Sequence, residues 1–227
     1  MMLYREQKEQ LADAILMLER AGIIDFNGHF SMRVDGDHML INSGKSVRSA
    51  LTADDIVTID FDGNLVEGEA VPPMEFRIHA EIYRRRADVH SVAHTHPLWS
   101  TLFTMAGKPI LPVIMQAAVL GEIRYFDKTA SINSQGLGIE LAHVLGDHRV
   151  AVLRSHGAVI ASGSITDSFV FAVYLEETAE RQYLASRLGE PHVLAADEVR
   201  AIHANLAKPH LLQKVWDYHH AKLKAER

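Results

Sequence analysis

The sequence has no cysteine, which excludes disulfides and thiolate metal sites, so any transition-metal site must be built from histidine and carboxylate. That composition fits a reducing compartment. It has no excess of positive charge either: a net charge of −6 and a pI near 6.1 give no field that would gather a polyanion, which argues against nucleic acid and acidic membrane surfaces as partners. Long apolar runs are missing as well. The longest strongly apolar stretch, Phe169 to Leu175, is too short to span a bilayer. Near the N-terminus Arg5, Glu6, Lys8 and Glu9 stand where a secretory segment would need apolar residues. The expected location is the cytoplasm, with no membrane partner. No repeat, linker or low-complexity segment divides the chain, and the one basic cluster, Arg84-Arg85-Arg86, reads as a solvated helix end.

What remains is ordinary globular composition. With 227 residues, 48% hydrophobic and 23% charged, the chain is long enough for one substantial core and is expected to form one domain over residues 1–227.

Leu11, Ile15 and Leu18, spaced three and four apart, predict a helix over 4–20 with Gly22 ending it. Short strands follow. Phe30–Val34 and His38–Ile41 flank Asp35-Gly36, a dipeptide suited to a tight hairpin, and Asp62-Gly63 turns the alternating stretch Ile56–Phe61 into Leu65-Val66. The sheet is therefore expected to be largely antiparallel. Pro72-Pro73 predicts a helix from Met74 to about Arg86, with Glu75 in its first turn. Val89–His96 reads as a buried strand, Leu98–Met105 as a helix, Lys108–Met115 as extended, Gly138–Leu145 as a helix, Arg149–Arg154 and Ala158–Ile160 as strands, and Thr166–Leu188 as a long helix.

His94-Thr95-His96 closes the apolar strand Ser91-Val92-Ala93. Side chains two apart on a strand share a face, so both imidazoles can reach one ion. His156 occupies a similar place after Val150-Ala151-Val152-Leu153 and before Gly157, which permits close backbone approach. Three imidazoles leave open positions for water or substrate, the mark of a catalytic metal site. Glu75 can add a carboxylate oxygen or act as a base; helix-dipole stabilisation is its ordinary alternative role. His79 reads as structural. Gly136-Leu137-Gly138 is too short a pattern to indicate a dinucleotide site.

The order Gly28-His29-Phe30-Ser31-x-Arg33, Glu75-x-x-x-His79, His94-Thr95-His96-Pro97 and Ser155-His156-Gly157 resembles the class II aldolase/adducin family over about residues 10–185. The resemblance implies a three-layer α/β/α sandwich around a mostly antiparallel sheet. It further implies one divalent ion per subunit on His94, His96 and His156, zinc or manganese ahead of iron, and an acid/base role for Glu75. A tyrosine that can donate a proton corresponds to Tyr125, in Arg124-Tyr125-Phe126. The family's subunits usually form a fourfold homotetramer with sites at the interfaces, where Tyr218 could reach a neighbour's site.

Within that family the sugar-phosphate aldolases hold phosphate with an Asn, a Thr-Gly pair and two serines. The matching positions here are His29, Gly44-Lys45 and Pro73-Met74, which lack most of those donors. His29, Lys45 and Arg48 instead suit a carboxylate, with Met74 and Phe30 as apolar wall, while Arg154 either orients an anion or pairs with a glutamate of the long helix. This pattern resembles the decarboxylase branch, acting on hydroxylated aromatic or pyridine dicarboxylates and related ring-derived acids. The substrate expected is a small carboxylate. An aldolase for a hydroxy-acid or sugar phosphate, an iron-dependent oxygenase and a non-catalytic adducin-like interaction module are the alternatives.

Overall fold

The computed structural model describes residues 4–225. The apolar spacing near the N-terminus forms α1 (Arg5–Arg20), which buries Leu11, Ile15 and Leu18, and Gly22 turns the chain at φ +69°. A meander follows: β1 (His29–Arg33), β2 (His38–Asn42), β3 (Ile56–Asp60) and β4 (Leu65–Glu67). Gly36 and Gly63 turn its two Asp-Gly corners at φ +53° and +96°, angles that a side chain would resist.

Residues 74–76 depart from the expected helix start. They form a tight turn, in which Phe76 N–H donates to Pro73 O and Ile78 N–H to Glu75 O, and α2 spans Arg77–Arg85. Glu75 therefore precedes the helix and does not sit in its first turn. Next come β5 (Ser91–Thr95), α3 (Leu98–Met105), α4 (Ala117–Leu120), β6 (Ile123–Phe126), α5 (Gln135–Leu145), β7 (Val150–Leu153), β8 (Gly157–Ser162) and α6 (Ile165–Ser186). Two further helices, α7 (Ala196–Leu206) and α8 (Pro209–Ala225), follow the long helix.

Among the described residues eight strands make one sheet in the order β4-β3-β2-β1-β5-β8-β7-β6, antiparallel except for the β6/β7 pair. One face carries α1, α6 and α8 over a core that includes Leu11, Ile15, Phe30, Ala93, Phe169 and Trp216. The other carries α2 and α5 over Ile41, Ile78, Ile82, Val92, Leu141 and Val159. The result is the expected α/β/α layering. Because alternate strand residues face opposite sides, Phe30 and Ala93 point to the α1/α6 face, whereas His29, Ser31 and His94 point to the α2 face. No helix among the described residues is long and apolar enough to cross a membrane.

Candidate metal centre

The site forms where two central strands meet the turn before α2. β5 pairs antiparallel with β8, placing Thr95 opposite Ala158, so His94 and His96 come beside His156 in the turn that enters β8. Ser155 adopts a left-handed φ of 54°, and its N–H donates to Thr104 Oγ1, which aims the next residue at the strand end. One ligand atom from each of Glu75, His94, His96 and His156 lies within 4.8 Å of all the others.

A hydrogen bond on His94 and a carboxylate beside His96 set which nitrogen each ring presents. His94 Nδ1 donates to Ala158 O at 3.1 Å, and His96 Nδ1 lies 3.3 Å from Asp25 Oδ1, so each ring keeps its lone pair on Nε2. Those two Nε2 atoms then face each other at 3.2 Å. Two opposed lone pairs repel at that distance unless a cation lies between them. The separation also matches the span of about 3.3–3.4 Å between two nitrogens of a tetrahedral ion with bonds of about 2.0–2.1 Å. The donor set thus fits a divalent ion, with Asp25 orienting His96 as outer carboxylates commonly orient metal-bound imidazoles. Asp25 was not among the residues singled out from the sequence. It reaches the site because His96 N–H donates to Ile23 O, pinning that loop against the strand end.

Glu75 faces the same point. Its Oε2 lies 3.5 Å from His94 Nε2 and 3.7 Å from His156 Nε2, while Oε1 accepts from Ile132 N–H at 2.6 Å and Ser131 Oγ–H at 3.0 Å. Burial opposes its ionisation, but the facing imidazoles of His156 and His94 and the hydrogen bond from Ile132 N–H outweigh it and hold the carboxyl well below the usual range. Glu75 is a carboxylate at rest. Burial also lowers His96 to about 4, with the neighbouring His94 acting in the same direction.

The remaining sequence candidates separate. His29 is buried beside the cluster, with its ring centroid 4.9 Å from that of His94. Met74 stands exposed on the turn next to Glu75. Lys45 is exposed on the loop whose Gly44 N–H donates to Val71 O, next to Pro72-Pro73. Arg48 differs from the expectation of a substrate anchor. It is buried, with Nε donating to Gly28 O at 2.8 Å and Nη1 to Ser43 O and Ser46, because this loop leaves carbonyls that need a donor. Arg154 pairs with Asp127 and Thr129, not with a glutamate of α6. Tyr125 lies on the edge strand β6, where its hydroxyl accepts from Ile110 N–H at 2.8 Å beside a groove of about 420 Å³. Tyr218 is exposed on α8, its ring in contact with His219 and Lys222.

An α/β sandwich that ends two adjacent central strands in three imidazoles around one carboxylate is a scaffold with a candidate metal centre. The chain belongs to the family described as Class II Aldolase and Adducin N-terminal domain, which residues 9–183 match. It is 28% identical over 187 residues to a 3,4-dihydroxyphthalate decarboxylase of Arthrobacter keyseri, covering 76% of this chain and 75% of that protein. It is 30% identical over 165 residues to an L-fuculose phosphate aldolase of Methanocaldococcus jannaschii, covering 72% and 88%. The crystal structure of an aldolase II superfamily protein from Pseudomonas syringae shares the fold, with a TM-score of 0.88 at 22% identity over 100% of this chain and 95% of that one.

Proposed function

We propose that the protein is a divalent-metal-dependent carbon–carbon lyase, and that it decarboxylates a hydroxylated aromatic or heteroaromatic dicarboxylate or a related ring-derived acid. The observation that carries the substrate class is Pro73-Met74: the two residues before Glu75 offer no side-chain donor to a phosphate, and Met74 gives the approach to the carboxylate an apolar surface. A relative that is a 3,4-dihydroxyphthalate decarboxylase supports the same reading.

His94, His96 and His156 would hold the ion, zinc or manganese by the nature of the donors. When bound, it supplies a Lewis acid that stabilises negative charge on a substrate oxygen. The chain's own residues do the rest. Because Glu75 rests as a carboxylate, it first accepts the proton of a substrate hydroxyl and then returns it to the carbon that loses CO2. Tyr125 is the second proton donor to test. Lys45, on the loop beside Pro72-Pro73, pairs with the carboxylate that stays on the product. Phe26, Val47, Met74 and Leu98 are all strongly exposed, and each lies within two residues of a site or loop residue described above. That supports burial of the site's rim against a second copy, as in a homotetramer, from which Tyr218 would approach.

A second reading, an aldolase of a hydroxy-acid or sugar phosphate, is favoured by the fuculose phosphate aldolase among the relatives. Retention of all three histidines and Glu75 argues against a non-catalytic interaction module. Incubating metal-loaded protein with hydroxylated aromatic dicarboxylates and with ketose 1-phosphates, recording CO2 and aldehyde separately, decides between the two enzymes. Aldehyde from the ketose phosphates without CO2 from any dicarboxylate would establish the aldolase instead.

A further inference from the structure

Behind the metal centre two stripes of side chains meet. On β1 every second residue, His29, Ser31 and Arg33, faces α2; along the turn and α2 every fourth residue, Glu75, His79 and Tyr83, faces β1. Their contacts form a chain. His29 Nδ1 lies 2.6 Å from His79 Nε2, His79 Nδ1 lies 2.6 Å from Ser31 Oγ, and Ser31 Oγ lies 2.7 Å from the Tyr83 hydroxyl. All four residues are buried, and the Arg33 guanidinium lies over the Tyr83 ring at 5.0 Å.

The direction of these hydrogen bonds follows from their far end. A buried hydroxyl needs an acceptor, and Ser31 Oγ at 2.7 Å is the acceptor set within reach of the Tyr83 hydroxyl, so Tyr83 donates to Ser31. Ser31 then has two acceptors to choose from. His79 Nδ1 at 2.6 Å is a normal hydrogen bond, whereas Val92 O at 3.5 Å is at the limit, so Ser31 donates to His79. With Nδ1 accepting, neutral His79 carries its proton on Nε2 and donates to His29 Nδ1. His29 in turn must carry its proton on Nε2. That N–H points at the site, 4.0 Å from Glu75 Oε2, too far for a hydrogen bond, and it has no acceptor within reach among the described residues.

We propose that Tyr83, Ser31 and His79 are positioning residues that lock His29 into the Nε2–H tautomer and hold it as a fixed hydrogen-bond donor to a substrate oxygen beside Glu75. The chain is not a proton wire. Passing the His29 proton on would leave a phenolate at Tyr83, and burial pushes that hydroxyl well above the ordinary tyrosine range. The donor therefore keeps its proton and stabilises charge as it develops on the oxygen, a contact worth more in the transition state than in the ground state. This role rests on the cluster being the substrate site of the lyase proposed above; the tautomer does not.

Long-range 1H–15N correlation spectra of the zinc-loaded, 15N-labelled full chain at neutral pH test the lock directly. The expected result is that His29 and His79 are each protonated on Nε2 and bare on Nδ1; a His29 protonated on Nδ1 overturns the proposal. Ser31→Ala removes the donor to His79 and should give His29 a mixture of tautomers, Tyr83→Phe should give a smaller admixture, and Ser31→Thr should restore the single form. An unchanged His29 in Ser31→Ala also overturns it. With the acid that the wild type turns over, Ser31→Ala should lower kcat about tenfold or more while KM stays within about twofold. His29→Gln, which keeps an N–H near the Nε2 position, should retain more turnover than His29→Asn. Unchanged kcat alongside a mixed tautomer would refute the donor role. A wild type that turns over no acid but shows the expected spectra would sink the lyase reading and leave the tautomer lock standing.

Discussion

Gly157 lies so close to Thr95 that a Cβ added to it would stand 2.2 Å from the Thr95 carbonyl oxygen and 3.1 Å from the His96 ring. Real Cβ atoms do not approach backbone that closely, so β5 and β8 would have to part. Gly157→Ala is expected to cost about 1–3 kcal/mol, as overpacking commonly does, and to weaken metal binding because His156 moves away from His94 and His96. Urea denaturation together with metal analysis of the purified variant checks both effects; native stability with one ion per chain would contradict them.

Ala at any one of His94, His96 or His156 should abolish stoichiometric metal. Asp25→Asn removes only the outer partner of His96 and should weaken affinity about tenfold, the lower end for such groups, because Asp25 is partly exposed. Competition with a chelator measures the second effect. A triple-alanine variant that still holds one tightly bound ion would displace the site.

Glu75→Gln retains an oxygen to accept from Ile132 N–H, so the fold should survive. Turnover should fall about a hundredfold or more, the range for a lost acid–base group. A melting temperature near wild type with near-normal turnover would remove Glu75 from the mechanism.

Burial, aided by His94, lowers His79 to about 3, against an ordinary histidine near 6.5. The folded state keeps this ring neutral while the unfolded chain binds a proton there below about pH 6.5. This contribution to stability is therefore complete above that pH and is lost as pH falls toward 3, by about 1.4 kcal/mol per pH unit. Between pH 6.5 and 5 the urea midpoint of the wild type should fall more steeply than that of His79→Gln. Parallel slopes would show that His79 does not carry the dependence.

The strands β1 to β4 were legible because alternation and two Asp-Gly corners coincide there. Strand β6 was not: Ile123–Phe126 is an edge strand with no clean inside–outside pattern, and its parallel pairing with β7 has no local signal. Helix α8 buries only Leu212, Trp216 and Leu223 fully, too sparse a stripe to stand out. In the site, the histidines announce themselves by ending apolar strands. Arg48 misled because an arginine among Gly and Ser looks solvent-facing, whereas it satisfies the loop's own carbonyls. The polar chain behind the metal centre was readable in principle, since Glu75, His79 and Tyr83 recur every fourth residue opposite a strand bearing His29, Ser31 and Arg33. What hid it was that His79, taken singly, looks like any core histidine.

The β5/β8 ladder has a further consequence, for the time course of folding. Sixty residues separate His96 from His156, and the two meet only once the antiparallel pairing of Thr95 with Ala158 has formed. Contacts between segments this far apart carry a large loop-closure cost and form slowly. The complete triad of imidazoles is thus absent from the unfolded chain, and an ion that needs all three binds only after the centre of the sheet has zipped. Its capture would then act as a latch, adding stability in proportion to the logarithm of free ion over the dissociation constant. Without a bound ion the same sheet would open more readily at its centre, where β5 ends and β8 begins, than with one in place.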